Sequence, residues 1–316
     1  MPQRDGLDPV RHRVAREAAR CAALESLLTR FPALGDPEAM PLRERFARGE
    51  IVRADGTTWA ADAPVEPGDE LWFHRELREE AVPEVDLPIL HQDDHLLVVD
   101  KPHDMATMPR GAHVLSSALV RLRRSTGITT LSPLHRLDRR TAGVLAFGVR
   151  PADRSVYQEL FARRAVHKEY LARVRPAAGP AGSAVPRGIA GSGDAPVTLR
   201  VGVRAVLRDR LLKERGDLLT RVVEGEPNAI TELEVLAQAD DGTATLLLRP
   251  LTGRTHQLRA QLSHRGMPIL GEDLYPSPRD PEGPLQLLAR TLAFTDPVTG
   301  QERRFTSALD LPGPPS

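Results

Sequence analysis

One short stretch of this 316-residue chain concentrates groups fit for chemistry: His135-Arg136-Leu137-Asp138-Arg139-Arg140. Asp138 stands among Arg136, Arg139 and Arg140, just ahead of the apolar run at 143–149. Nearby positive charge favours an ionised carboxylate, which suits a nucleophile or an electrostatic stabiliser better than a general acid. On composition alone, an ordinary surface ion pair accounts for the same residues and is the safer reading. Other chemistries find less support. His135, His256 and His264 lack a recognised metal-ligand spacing, and no glycine-rich turn joins a strand to a helix as a phosphate or dinucleotide loop does. Cys21 is the single cysteine, so neither a disulfide nor a cysteine cage can form within one chain. No serine or cysteine stands with a matching base in a hydrolase pattern. The expectation is therefore no metal and no cofactor.

The elements that must position these residues follow from apolar patterning. LLVVD (96–100) reads as a buried strand stopped at Lys101-Pro102, GVLAFGV (143–149) as a strand directly after the Asp138 loop, and EYLARV (169–174) as a third. Helices are expected over 116–125 and 153–164. Further strands are expected at TLRVGV (198–203), AITELEVLAQ (229–238) and ATLLLRPL (244–251). GRTHQLRAQLSHRG (253–266) reads as a helix closed by Gly266. Residues 176–196 are rich in Gly, Ala, Pro and Ser without apolar periodicity, and read as a surface loop. Upstream, 9–31 read as one helix and 42–48 as a short one, and turn signals at Asp55-Gly56 and Pro67-Gly68 mark a small hairpin. The organisation expected is an N-terminal α/β module over 1–80, a linker over 81–88 and a main domain over 89–312. Strands outnumber helices without regular alternation, which predicts an α+β fold on a mixed sheet with flanking helices.

Charge adds a second clue. The chain carries 43 basic and 43 acidic residues, a balance that by itself argues against a polyanionic partner. The distribution is uneven. Residues 110–140 hold seven arginines against the single acid Asp138, and 249–266 hold four arginines, two histidines and no acid, whereas 60–94 hold eleven acids and two arginines. The N-terminus lacks the apolar core of a signal peptide, and no run long enough to span a bilayer occurs. The expectation is a cytoplasmic protein.

Four segments taken in order carry a family resemblance. HRLDRRTAGVLAFG is similar to the signature of the RluA-type RNA pseudouridine synthases, and LVVDKPHDMATMP resembles that family's opening strand and Lys-Pro turn. HKEYLARV resembles its Lys-x-Tyr segment, and LTGRTHQLRAQLSHRGMPILGEDLY its long C-terminal motif. The resemblance implies the pseudouridine synthase fold, with a largely antiparallel central sheet. It implies a reaction in which a uridine of RNA is cut from its sugar, turned and rejoined through carbon 5, with no external reactant.

The same resemblance assigns roles. Asp138 becomes the nucleophile or proton-handling carboxylate, acting at carbon 6 of the base or carbon 1 of the sugar. Tyr170 becomes the aromatic that stacks on the base and helps a proton transfer at carbon 5; without the motif it reads as a core aromatic. Arg254 becomes the arginine that pairs with the aspartate, and otherwise reads as a phosphate contact or a surface residue at a helix start. Leu258, four residues on, becomes an apolar wall on the same helix face. Arg136 would fill the gap left by an extruded base or hold a phosphate. Arg139, His256 and Gln257 join it as substrate-binding residues, and His135 is structural.

Two positions depart from the pattern: Arg140 stands where relatives usually carry an acid, and Gly271-Glu272 where they often carry Gly-Asp. The N-terminal module resembles more weakly an S-four-type RNA-binding domain, through LRERFARGEIVRADG and VEPGDELWF. The expected partner is structured RNA, ribosomal ahead of transfer RNA, bound by a monomer with no membrane attachment. The rival expectations are a non-catalytic RNA-binding or RNA-folding factor retaining the fold and a generic single-strand binder, the latter disfavoured by 4% aromatic content.

Overall fold

The computed structural model describes residues 1–77, 80, 82–111, 113–176, 199–214, 216–277, 279–280 and 283–312. The loop expected over 176–196 lies, Pro176 apart, outside the described residues, as do 78, 79 and 81 beside the expected linker. Two compact units form. One contains 1–82 and 120–129, the other 83–119 and 130–316.

The first unit contains strands β1 (Val10–Arg13), β2 (Cys21–Ala22), β3 (Pro64–Val65) and β4 (Glu70–Phe73), with helices α1 (Ala23–Arg30) and α2 (Leu42–Ala47). The single helix expected over 9–31 is corrected. His12 and Val14 point inward two residues apart, a strand period rather than a helical one, and Val10–Arg13 pairs antiparallel with β4. Helical spacing holds only from Ala23, through Ser26 and Leu27. Ala23, Leu27, Leu42, Phe46, Ile51, Trp59 and Leu71 make this unit's core. The turns at Gly56 and Gly68 both have positive φ.

The second unit is built on a sheet. Its strands are β5 (Ile89–Gln92), β6 (Leu96–Lys101), β7 (Ser132–Pro133), β8 (Ala142–Gly148), β9 (His167–Val174), β10 (Arg204–Leu212), β11 (Arg221–Val223), β12 (Ala229–Gln238), β13 (Ala244–Pro250), β14 (Leu287–Thr295) and β15 (Glu302–Thr306). Helix α4 (Arg154–Ala162) lies between β8 and β9, and α5 (Gln257–His264) follows β13, while α3 (Ala118–Thr126), which precedes β7 in the chain, falls from residue 120 on in the first unit. Among the described residues these strands form one eleven-stranded sheet of order β11-β10-β12-β13-β9-β14-β8-β6-β5, with β15 on β14 and β7 on β8. Of its pairings, β14 with β8 is parallel and the others are antiparallel. The fold is α+β on a mixed sheet, as the patterning predicts, and the sheet is mostly antiparallel, as the resemblance implies. Among the described residues no helix is long and apolar enough to cross a membrane.

Apolar clusters of helix and strand residues hold the sheet, two of them large. Leu258 and Leu262 of α5 pack with Ala172, Val174, Leu233, Leu246 and Leu248, and Tyr157 and Phe161 of α4 pack with Leu96, Val98, Val144, Leu292 and Phe294. The strand expected at 198–203 is displaced: the chain turns at Gly202 and pairing starts at Arg204, where Leu207, Asp209 and Leu211 alternate inward against exposed Arg208 and Arg210. Strands β14 and β15 are absent from the sequence expectations.

Gly143 opens β8 beside β14 with φ 110°, and a Cβ there would sit 2.2 Å from the Ala289 carbonyl oxygen. The parallel register Gly143↔Ala289 thus requires glycine. Gly143→Ala should destabilise this unit by about 3 kcal/mol or more, read as a lower midpoint in urea denaturation; an unchanged midpoint would show that the strands tolerate separation here.

Candidate active site

Asp138 lies on the loop between β7 and β8. Thr107 braces that loop: its hydroxyl donates to the Leu137 carbonyl at 2.8 Å and accepts the Leu137 N–H at 3.1 Å. The Thr141 N–H closes a turn on the Asp138 carbonyl at 3.0 Å. Below the loop Lys101 is fully buried and donates to the carbonyls of Pro102, Met105 and Arg139 at 2.9, 2.8 and 3.2 Å. Three acceptors match the three protons of an ammonium. Burial nonetheless lowers the pKa of Lys101 to about 7, with Asp138 and Asp104 opposing the shift.

A cavity of about 400 Å³ opens over Asp138. Its wall includes Tyr170 from β9, Leu287 at the start of β14, the 252–256 loop and the first turn of α5. Asp138 is the one acid among the described lining residues, against Arg136, Arg164, Lys168, Arg254 and Arg259. Burial raises the pKa of Tyr170, and Asp138 adds to the rise, so the phenol keeps its proton near neutral pH. Leu134, Leu137, Leu258 and Leu287 supply apolar wall.

The structure therefore brings Asp138, Tyr170, Arg254, Leu258, Arg136, His256 and Gln257 to one cavity, with several roles altered. Arg254 forms no ion pair with Asp138: it is exposed, and its Nε donates to the Asn228 carbonyl at 3.3 Å. The helix starts at Gln257, after His256 in the left-handed region with φ 52°, so Arg254 and Leu258 do not share a helix face. The arginine whose charge acts on Asp138 is Arg259. Burial works against its protonation, but Glu272, Asp138 and Asp273 overcome that and raise its pKa.

Gln257 is spent internally. Its carbonyl oxygen accepts from Thr252 Oγ1 and the Arg254 N–H at 2.8 and 3.0 Å, and its amide donates to the Ile230 carbonyl and Thr231 Oγ1 at 3.1 and 2.9 Å. It shapes the loop and has no group left for a substrate. Arg139 is not a lining residue: its guanidinium bonds Asp104 at 3.0 Å. His135 accepts the Ala146 N–H at 3.1 Å and stacks on Phe161 at 5.0 Å, and burial pushes its pKa down to about 3. Arg136 is exposed at the cavity with no hydrogen bond or ion pair among the described residues.

Lys101, Arg164, Lys168 and Arg259 carry no role of their own in the sequence patterns. Arg259 and Lys168 lie inside the THQLR and HKEY segments quoted above, where the motif was visible but the direction of each side chain was not. Among the described residues no group of three His, Cys, Asp or Glu is placed to hold a metal ion.

The chain is similar to known proteins along this part of its length. The family model for RNA pseudouridylate synthases matches residues 95–264. The dual-specificity RNA pseudouridine synthase RluA of Escherichia coli (strain K12) is 34% identical over 228 residues, which cover 71% of this chain and 94% of that protein. The protein of the same name from Haemophilus influenzae (strain ATCC 51907 / DSM 11121 / KW20 / Rd) is 32% identical over 244 residues, covering 71% and 94%. Among solved structures, human RNA pseudouridylate synthase domain containing 1 superposes with a TM-score of 0.52 at 22% identity, covering 71% of this chain and 84% of that one, a likeness of fold.

Lys101 gives this site a pH signature. Its folded pKa lies below the unfolded value, so from about pH 7 to about pH 10 the unfolded chain binds a proton that the folded chain has shed, and stability should rise with pH there. Lys101→Met should remove that rise, as measured by urea denaturation across the window. A wild-type stability that falls through the same range would contradict the shift.

Proposed function

The chain belongs to the RNA pseudouridylate synthase family, and on that premise we propose that it isomerises a uridine in structured RNA with Asp138 as its reactive carboxylate. The observation that carries the reading is Asp138 as the one acid among the described lining residues of a cavity whose wall also holds five arginine and lysine side chains, four leucines and Tyr170.

The isomerisation breaks the bond between N1 of uracil and C1′ of ribose and forms one between C5 and C1′. The proton on C5 leaves and N1 gains one, so no redox partner or second substrate is required. Asp138 divides this difficult exchange into easier steps by attacking C6 of the base or C1′ of the sugar. Tyr170, a protonated phenol, offers its ring to the base. Leu258 and Leu287 exclude water around it. Arg259 keeps positive charge against Asp138 without entering the exposed mouth.

A uridine within folded RNA must leave its stack to reach this depth. Arg136 and Arg254, both exposed at the cavity, suit the flanking phosphates or the vacated space, and their contacts would weaken with salt. The relatives are named as dual-specificity enzymes. For this chain ribosomal RNA is proposed ahead of transfer RNA, with a monomer acting in the cytoplasm.

We also propose the division into an N-terminal module at 1–80, a linker at 81–88 and a catalytic domain at 89–312. The module's segments resemble an S-four-type RNA-binding domain, which supports an RNA contact there. Against a strongly basic face, Arg43, Arg45 and Arg48 pair with Asp62, Glu50 and Glu44.

Asp138→Asn should abolish pseudouridine formation in a chemical mapping assay while the unfolding midpoint stays at the wild-type value. Retained activity would overturn the proposed role of the carboxylate and admit a non-catalytic RNA-binding factor. The target is identified by mapping pseudouridines in cells with and without the gene. One ribosomal uridine should lose its modification, and a loss confined to transfer RNA would reverse the proposed order.

A further inference from the structure

His256 stands between the reactive carboxylate and a buried tyrosine. Its backbone is left-handed, with φ 52°, a region rarely occupied by a residue with a Cβ. That conformation points the ring across the cavity floor. Nδ1 lies 3.0 Å from the Tyr275 hydroxyl, and Nε2 lies 3.7 Å from Oδ1 of Asp138. The rings of His256 and Tyr275 meet edge to face at 5.9 Å.

Thr220 leaves the Tyr275 proton available to His256. Its backbone N–H donates to the Tyr275 hydroxyl at 2.8 Å, and its own hydroxyl donates to the Thr255 carbonyl at 3.0 Å. The Tyr275 oxygen is therefore an acceptor toward Thr220, and its single proton is free for its other neighbour, Nδ1 of His256. An imidazole that accepts at Nδ1 carries its hydrogen on Nε2 when neutral. Burial lowers the pKa of His256, Asp138 opposing and Arg259 and Lys213 adding to the effect, so the neutral ring is the form present near pH 7.

We propose that Tyr275, anchored by Thr220, holds His256 in the Nε2–H tautomer, and that this N–H positions the Asp138 carboxylate for reaction. The proposal rests on Asp138 being the reactive carboxylate. A neutral N–H orients one carboxylate oxygen and leaves the other toward the substrate, without the full ion pair that would blunt its nucleophilicity. The 3.7 Å separation is longer than a hydrogen bond, and such contacts tighten once substrate closes over them. His256 is a positioning residue here, and Tyr275 positions it in turn.

The test uses the full chain. Nitrogen-15 NMR of the wild-type protein labelled at histidine should show His256 protonated on Nε2, and Tyr275→Phe should move population to the Nδ1–H form. His256→Gln keeps an N–H where Nε2 stood and should retain kcat within about threefold. His256→Asn does not reach Asp138 and should lose about 10- to 100-fold in kcat with KM little changed. An Nδ1–H tautomer in the wild type overturns the proposal. So do equal losses in the Gln and Asn variants, or a change confined to KM, which would make His256 a substrate contact. Should the variants fail to fold, the wild-type spectrum alone decides the tautomer. Activity surviving in Asp138→Asn would remove the premise itself, an outcome separate from these.

Discussion

Arg259 and Glu272 are both almost completely buried, and two charges taken from water cost several kcal/mol each unless they satisfy one another. Here they do. Arg259 engages Glu272 through Nε and one terminal nitrogen and reaches Asp273 at 2.6 Å. Glu272 also accepts the Leu274 N–H at 2.9 Å. Asp273 pairs in turn with Arg140 at 3.2 Å, and Arg140 donates to the carbonyls of Gly271 and Gly283. One network thereby ties α5, the 271–273 loop and the Asp138 loop into a single body. Breaking it at one partner would strand a buried charge, at about 3–5 kcal/mol. The positive field that reaches Asp138 is a by-product of a pair that the fold needs on its own account.

The two positions at which the sequence departs from its family's pattern both fall in this network. Arg140, where the resemblance leads one to expect an acid, finds Asp273 at 3.2 Å and Asp104 at 3.7 Å. Glu272, longer by one methylene than the usual aspartate, meets Arg259 with both oxygens. Each change is met by a partner that absorbs its charge and length.

What was legible in the sequence is what local pattern encodes. The buried run of β6, the Asp138 loop before β8 and Tyr170 on β9 follow from apolar strands bounded by turn residues, and these fix most of the cavity. The failures share a cause. At 9–31, unevenly spaced apolar residues concealed an alternation of His12 and Val14 that becomes decisive only once β4 lies alongside. At α5, residues 257–262 are all buried, including the polar Gln257, Arg259 and Gln261, which no local pattern places inward. Gln261 is inward because Asp209, 52 residues away, accepts its amide at 2.7 Å. The charge expected from Arg254 comes from Arg259 instead because nothing local to THQ announces a left-handed His256. Lys101 was visible as half of a Lys-Pro turn, but its bond to the Arg139 carbonyl spans 38 residues.

Charge pairing, rather than net charge, separates the arginines that build the fold from those that face the cavity. Arg249 spans Glu169 and Glu234 at 3.0 and 3.5 Å, Arg204 meets Glu234 at 3.0 Å, and Arg303 meets Asp93 and Asp296 at 2.9 and 3.3 Å. Such pairs contribute little stability where exposed, but they cancel charge on the sheet. Arg136, Arg164, Lys168 and Arg254 have no carboxylate within ion-pair distance among the described residues, and all four line the cavity. Burial, with Arg164 adding to it, already lowers the pKa of Lys168, a cost that an arriving phosphate would reverse. A neutral chain thus presents unpaired cations to a polyanion at this cavity, and Asp138 is the one acid among the described residues that line it.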